Sequence, residues 1–187
     1  DKTSETFTYD VMGNVASSTD QEGKTKTYHY DQNGNLLKTV DHLKRETKYS
    51  YDALNRVVTE SDADGNTSTY EYDVLGNLSK MTDANGHSSS YGYDANKKLV
   101  LYTDPNGHAT AFKYDPLERI IETVAPTGSK QSFSYDALGN RLSETSGEGH
   151  TTTYSYDSMS RVSSKKRPTG GETQYALSLI HISEPTR

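Results

Sequence analysis

The sequence predicts an all-β protein made of repeated antiparallel β-hairpins of 21-residue period, forming an open curved sheet. Three observations predict it. Tyr-Asp pairs begin at Tyr9, Tyr30, Tyr51, Tyr72, Tyr93, Tyr114, Tyr135 and Tyr156, and all seven intervals are 21 residues. A second aromatic stands two positions before each pair, from Phe7 and Tyr28 to Tyr154, and the series continues at Tyr175. Turn residues recur twice in every period, which is the punctuation of a hairpin and its link to the next. A fixed period of this length marks a repeat architecture.

Each unit can be followed from its first strand, with the tyrosine of the pair numbered n. The segment before the pair is rich in threonine and serine, as in Thr25-Lys26-Thr27 and Thr151-Thr152-Thr153, residues that favour extended backbone. Aromatics two apart, as in Tyr28-His29-Tyr30, lie on one face of a strand. The strand ends at the aspartate of the pair: Asp10, Asp31, Asp52, Asp73, Asp94, Asp115, Asp136 or Asp157. A turn follows, with glycine at n+4 in Gly13, Gly34, Gly76 and Gly139, and Asn55, Lys97, Glu118 and Ser160 in the other copies. A second short strand opens with an aliphatic residue at n+6, for example Leu36-Leu37-Lys38-Thr39-Val40. The seventh copy departs, placing Arg141 at n+6 and Leu142 one step later, so a local bulge or register change is expected in that copy. A second turn closes the unit, as in Asp83-Ala84-Asn85-Gly86 or Asp104-Pro105-Asn106-Gly107, the latter with proline at the second turn position. No segment has helical periodicity.

Composition narrows the class further. Leu, Ile, Val and Phe make up 29 of 187 residues, about 16%, under the ~20% line where disorder becomes an option, although a net charge of -6 is too small to force it. A thick aliphatic core is excluded, and the absence of cysteine excludes a disulfide scaffold. Of the 18 aromatics, 17 fall in the two columns and Tyr102 stands outside them. The net charge of -6 argues against general nucleic-acid binding, and no apolar run approaches the ~20 residues of a membrane-spanning helix.

The Tyr-Asp pair with its following Gly-Asn, the 21-residue spacing and the second Asp-x-x-Gly turn together resemble the YD repeat. That repeat is shared by Rhs-type and wall-associated polymorphic toxins, shell proteins of insecticidal toxin complexes, and teneurins. The resemblance covers residues 1–176. It implies an antiparallel sheet spiralling into a hollow shell which, in the toxin members, encloses a C-terminal toxic domain. It therefore implies further flanking repeats and an attached toxin domain as partners, and a secreted or cell-surface location. Family members also cut themselves at an aspartyl-type site near the end of the shell, and no residue here matches that region. The phase calls for a ninth Tyr-Asp at 177 and 178, where the sequence reads Leu177-Ser178 instead. Residues 177–187 resemble the in-frame translation of a transposase-end sequencing adapter, so a non-native tail is expected there.

The candidate sites read as structure. Catalytic carboxylates work in small, differentiated sets, whereas the Tyr-Asp aspartates are eight equivalent copies, suited to accepting turn N–H bonds. Asp62-Ala63-Asp64-Gly65-Asn66 lacks the distal glutamate of a calcium loop. His87, His108 and His150 share one column, but consecutive copies sit two strand spacings apart, roughly 9.5 Å, too far to share a zinc ion. Lys165-Lys166-Arg167 reads as a solvated strand end. No catalytic residue, cofactor or metal site is expected, so the chain is read as non-enzymatic. The tyrosine columns read as a structural ladder. The alternative is a cell-surface adhesion array that stacks its rings on carbohydrate.

Overall fold

The computed structural model describes residues 4–175. Ala176 and the tail 177–187 lie outside the described residues. The described residues divide into two compact units, 4–97 with 103–107, and 98–102 with 108–175. All regular structure among the described residues is strand: β1 (Thr6–Tyr9), β2 (Val15–Thr19), β3 (Thr25–Tyr30), β4 (Leu36–Val40), β5 (Glu46–Tyr51), β6 (Val57–Ser61), β7 (Thr67–Tyr72), β8 (Leu78–Thr82), β9 (Ser88–Tyr93), β10 (Leu99–Thr103), β11 (Ala109–Tyr114), β12 (Ile120–Val124), β13 (Lys130–Tyr135), β14 (Arg141–Thr145), β15 (Thr151–Tyr156), β16 (Val162–Lys166) and β17 (Glu172–Gln174). In the first unit, consecutive strands pair antiparallel from β1–β2 through β8–β9. In the second, consecutive strands do so from β11–β12 through β16–β17.

Both turns of a unit have one geometry. In the first, Gly13 N–H donates to Asp10 O (3.1 Å) and Asp10 N–H to Asn14 O (2.9 Å); in the second, Gly23 N–H donates to Asp20 O and Asp20 N–H to Lys24 O, both at 3.0 Å. This is a type I turn followed by one left-handed residue, the common three-residue hairpin loop. The aspartate side chain completes it. Asp10 Oδ1 accepts from the N–H groups of Met12 and Asn14, and Asp10 Oδ2 accepts from Asn14 Nδ2. Where n+5 is arginine, as at Arg56, its Nε donates to Asp52 Oδ2 at 2.7 Å instead.

The n+4 residue is left-handed whatever its identity, from Gly139 at φ 89° to Glu118 at 63°. A β-branched residue pays most for that conformation. Gly139→Val is therefore expected to destabilise by about 1–2 kcal/mol, although a Cβ there meets nothing within 4 Å. Gly139→Asn should cost far less. Urea unfolding of the two variants checks this difference.

The bulge expected in the seventh copy is present, and it is not peculiar to that copy. There, Tyr135 faces Arg141 and Ser134 faces Ser143, leaving Leu142 as the extra residue of a bulge. The same shift occurs in the first copy, where Tyr9 faces Val15 and Thr8 faces Ser17. It recurs between β3 and β4, β5 and β6, β7 and β8, β11 and β12, and β15 and β16. The bulge belongs to the repeat, and Arg141 keeps the ordinary register. Links between hairpins carry no such shift, as in Ser17↔Thr27, Ser18↔Lys26 and Thr19↔Thr25.

No described hydrophobic residue is fully buried; the two buried side chains are Ser18 and Thr39. Each unit is thus one sheet thick, stabilised by side chains that cover one another along its faces.

Candidate functional site

The register sorts side chains onto two unlike faces. Tyr28 faces Thr39, and Tyr30 faces Leu36, so positions n−2, n, n+6 and n+9 share one face. Both aromatic columns lie there. The bulge also brings n+9 to this face, the position that Tyr102 holds in its own copy. The opposite face is mostly hydroxyl: Thr8 and Ser17 oxygens lie 2.7 Å apart, Ser61 and Thr67 2.7 Å, Thr82 and Ser88 2.8 Å, and Ser134 and Ser143 2.6 Å.

Each pair tyrosine ends the first strand of its hairpin, and in five copies its phenol reaches back to the previous hairpin. Tyr51 donates to Leu36 O, Tyr72 to Val57 O, Tyr114 to Leu99 O, Tyr135 to Ile120 O and Tyr156 to Arg141 O, at 2.8–2.9 Å. The accepting carbonyl is always that of n+6, at the bulge. Backbone pairing between hairpins spans three residues and stops short of this end, so the phenol supplies the bond that the ladder omits. Burial, the main cause, pushes the phenols of Tyr30, Tyr51 and Tyr93 above the ordinary tyrosine range.

Arginines at n+5 add a second tie. The Arg56 guanidinium lies 4.4 Å from the centre of the Tyr72 ring, and that of Arg119 lies 4.7 Å from the Tyr135 ring. Arg119 Nη1 also donates to Asp136 O at 2.7 Å. Each such arginine therefore links the turn of its own copy to the ring of the next, by hydrogen bonding and cation–π attraction.

The other sequence candidates fall at the turns. Asp62 Oδ1 accepts from Asp64 and Asn66 N–H groups. His87 Nδ1 lies 3.2 Å from Asp83 Oδ2, and His150 Nδ1 3.2 Å from Glu148 Oε2. Among the described residues, no three His, Asp or Glu side chains are grouped to hold a metal ion. Lys165 lies on the aromatic face, with Nζ 5.5 Å from the Tyr154 ring centre. No helix among the described residues is long and apolar enough to cross a membrane. Sequence reasoning missed two charged residues of the aromatic face, Glu60 and Glu144, which only the parity shift at the bulge places there.

Single-layer hairpins in 21-residue phase, with rings on one face and aspartate-capped turns, define a tyrosine-aspartate β-repeat protein. The sequence profile described as teneurin YD-shell matches residues 1–119 and 62–178. The chain belongs to that family. No curated protein matches it significantly. Among solved structures, it is similar to TcdB2-TccC3 without its hypervariable C-terminal region, with TM-score 0.75 and 16% identity over 93% of this chain and 11% of that one. It is also similar to TcdB2-TccC3-TEV, with TM-score 0.64 and 16% identity over 90% of this chain and 11% of that one. A third likeness is to a Photorhabdus luminescens Tc holotoxin pore carrying a TccC3 mutation, with TM-score 0.53 and 16% identity over 88% of this chain and 11% of that one. The chain thus spans about a tenth of the length of the structures it resembles.

Proposed function

We propose that this chain is a wall segment of a β-shell in a larger secreted or surface-delivered bacterial protein, enclosing or presenting a C-terminal toxin or effector domain. Its array runs over residues 1–176 and is continued by flanking repeats, with 177–187 as a non-native tail. The observation that carries the reading is the two-faced single layer: all rings on one side, hydroxyls on the other, and no aliphatic core between them. Such a sheet suits a partition better than a catalytic scaffold. The Tyr-Asp positions, from Tyr9 and Asp10 to Tyr156 and Asp157, serve as structural ties between and within copies, with no chemical step of their own. The TM-scores to toxin-complex chains support the same architecture.

Limited proteolysis of the intact parent protein tests it. The domain following the repeats is expected to resist protease until the wall is opened by denaturant. A domain cleaved at once, with the wall intact, would overturn the enclosing role. Saturable binding to a glycan array, lost when one aromatic column is replaced by alanine, would favour the adhesion reading.

A further inference from the structure

The aromatic face holds two glutamates, both at n+9, and they differ in one respect. Glu144 of β14 sits opposite Phe133 of β13 and Thr152 of β15. Arg141, from the same strand, places its guanidinium 5.8 Å from the Phe133 ring centre and 5.2 Å from that of Tyr154, with Nη1 3.3 Å from Glu144 Oε2. A guanidinium is therefore held between two rings above a carboxylate. This is why an arginine is accommodated at a position that is aliphatic in the other copies.

The third copy builds the same slot without the arginine. Glu60 of β6 faces Tyr49 of β5 and Ser68 of β7. The Tyr70 phenol donates to Glu60 Oε2 at 3.3 Å. At n+6 stands Val57, which offers no charge. Elsewhere in the strands, Glu46, Glu71, Glu122 and Glu144 each form an ion pair with a lysine or arginine. Glu60 has no such ion pair among the described residues. Rings two strands apart are separated by roughly 9.5 Å, which lets one cation lie within ~6 Å of both ring centres. The carboxylate also raises the Tyr49 and Tyr70 phenols above their ordinary range, after burial, which is the larger cause.

We propose that Tyr49, Glu60 and Tyr70 form a binding slot for a guanidinium group supplied from outside this sheet. The ligand class follows from the seventh copy, where the chain fills the equivalent slot with its own guanidinium. The inference stands independently of the shell reading. Two sources share this chemistry: an arginine side chain of a polypeptide, and a small free guanidinium compound.

The test uses the full chain with ring-labelled tyrosine, titrated by NMR with guanidinium ion, N-acetyl-arginine amide, an arginine-containing peptide, and the uncharged N-acetyl-citrulline amide. Saturable shifts of the Tyr49 and Tyr70 rings are expected with the guanidinium probes and not with citrulline. Glu60→Gln, which keeps the shape, should weaken binding about tenfold or more. Val57→Arg should abolish it by supplying an internal guanidinium. Arg141→Val should add a second site at Tyr154. A peptide binding at least about tenfold tighter than the free ion assigns the polypeptide source; equal affinity assigns the small compound. Absence of saturable shifts, equal binding of citrulline, or unchanged binding in Glu60→Gln would each overturn the proposal.

Discussion

Tyr72→Ala is expected to destabilise the chain by about 2–3 kcal/mol, below the 3–5 kcal/mol of a fully buried ring because Tyr72 is half-buried. Three contributions are lost together. The ring's buried area goes, in a sheet with no hydrophobic core to compensate. So does the stacking of the Arg56 guanidinium, 4.4 Å from the ring centre. The 2.8 Å bond to Val57 O also disappears, and a carbonyl at the bulge loses its partner. Tyr72→Phe isolates the last of these and should cost about 1 kcal/mol. Val74→Ala, at a fully exposed turn position two residues away, should change nothing. Urea unfolding followed by circular dichroism measures all three. A Tyr72→Ala variant as stable as Val74→Ala would show that the ring ladder does not hold the hairpins together.

Acid should unfold the chain cooperatively below about pH 4, near the ordinary aspartate value of about 3.9. Ten turn aspartates have their pKa held below that range. The first cause alternates with sequence. For Asp10, Asp31, Asp73 and Asp136 it is the side-chain amide at n+5. For Asp52, Asp115 and Asp157 it is the backbone N–H of the arginine at n+5, with the guanidinium adding to it. A carboxyl depressed in the folded state stabilises above its unfolded pKa and loses that contribution as pH falls through the folded value. The unfolding midpoint should therefore be level from pH 8 to about 5 and fall steeply below about 4. Asp73→Asn should be less stable at neutral pH and less sensitive to acid. A midpoint unchanged down to pH 2.5, far below about 3.9, would mean that the carboxylates do not hold the turns.

Much of this architecture is legible in the sequence, because the turn signals are local. Asp31-Gln32-Asn33-Gly34 states its own geometry: an acceptor first, a left-handed residue last. Strand β4 occupies the segment Leu36 to Val40 that its residues suggest. The bulge was hidden because its residue is ordinary strand chemistry, aliphatic at Ala16, Leu37 and Val58 and hydroxyl at Ser79, with no glycine or turn signal to mark it. Arg141 drew attention to one copy when the same bulge recurs in the first to fourth, sixth and eighth copies. Parity contains the answer. Antiparallel pairing keeps partners on one face, and two unbulged turns of this type return a side chain to its face after 20 residues. A period of 21 thus needs one extra residue per copy. The long-range ties were harder to foresee, since a phenol bonded to a carbonyl 15 residues earlier leaves no local sign.

That surplus residue governs how such a gene can grow. Duplication of a whole block preserves the sidedness of everything downstream. A single codon gained or lost inside a strand inverts it, exchanging rings for hydroxyls until a second irregularity restores the order. Length is therefore free to drift only in whole courses, and the spacing between Tyr9 and Tyr156 contains no fraction of one.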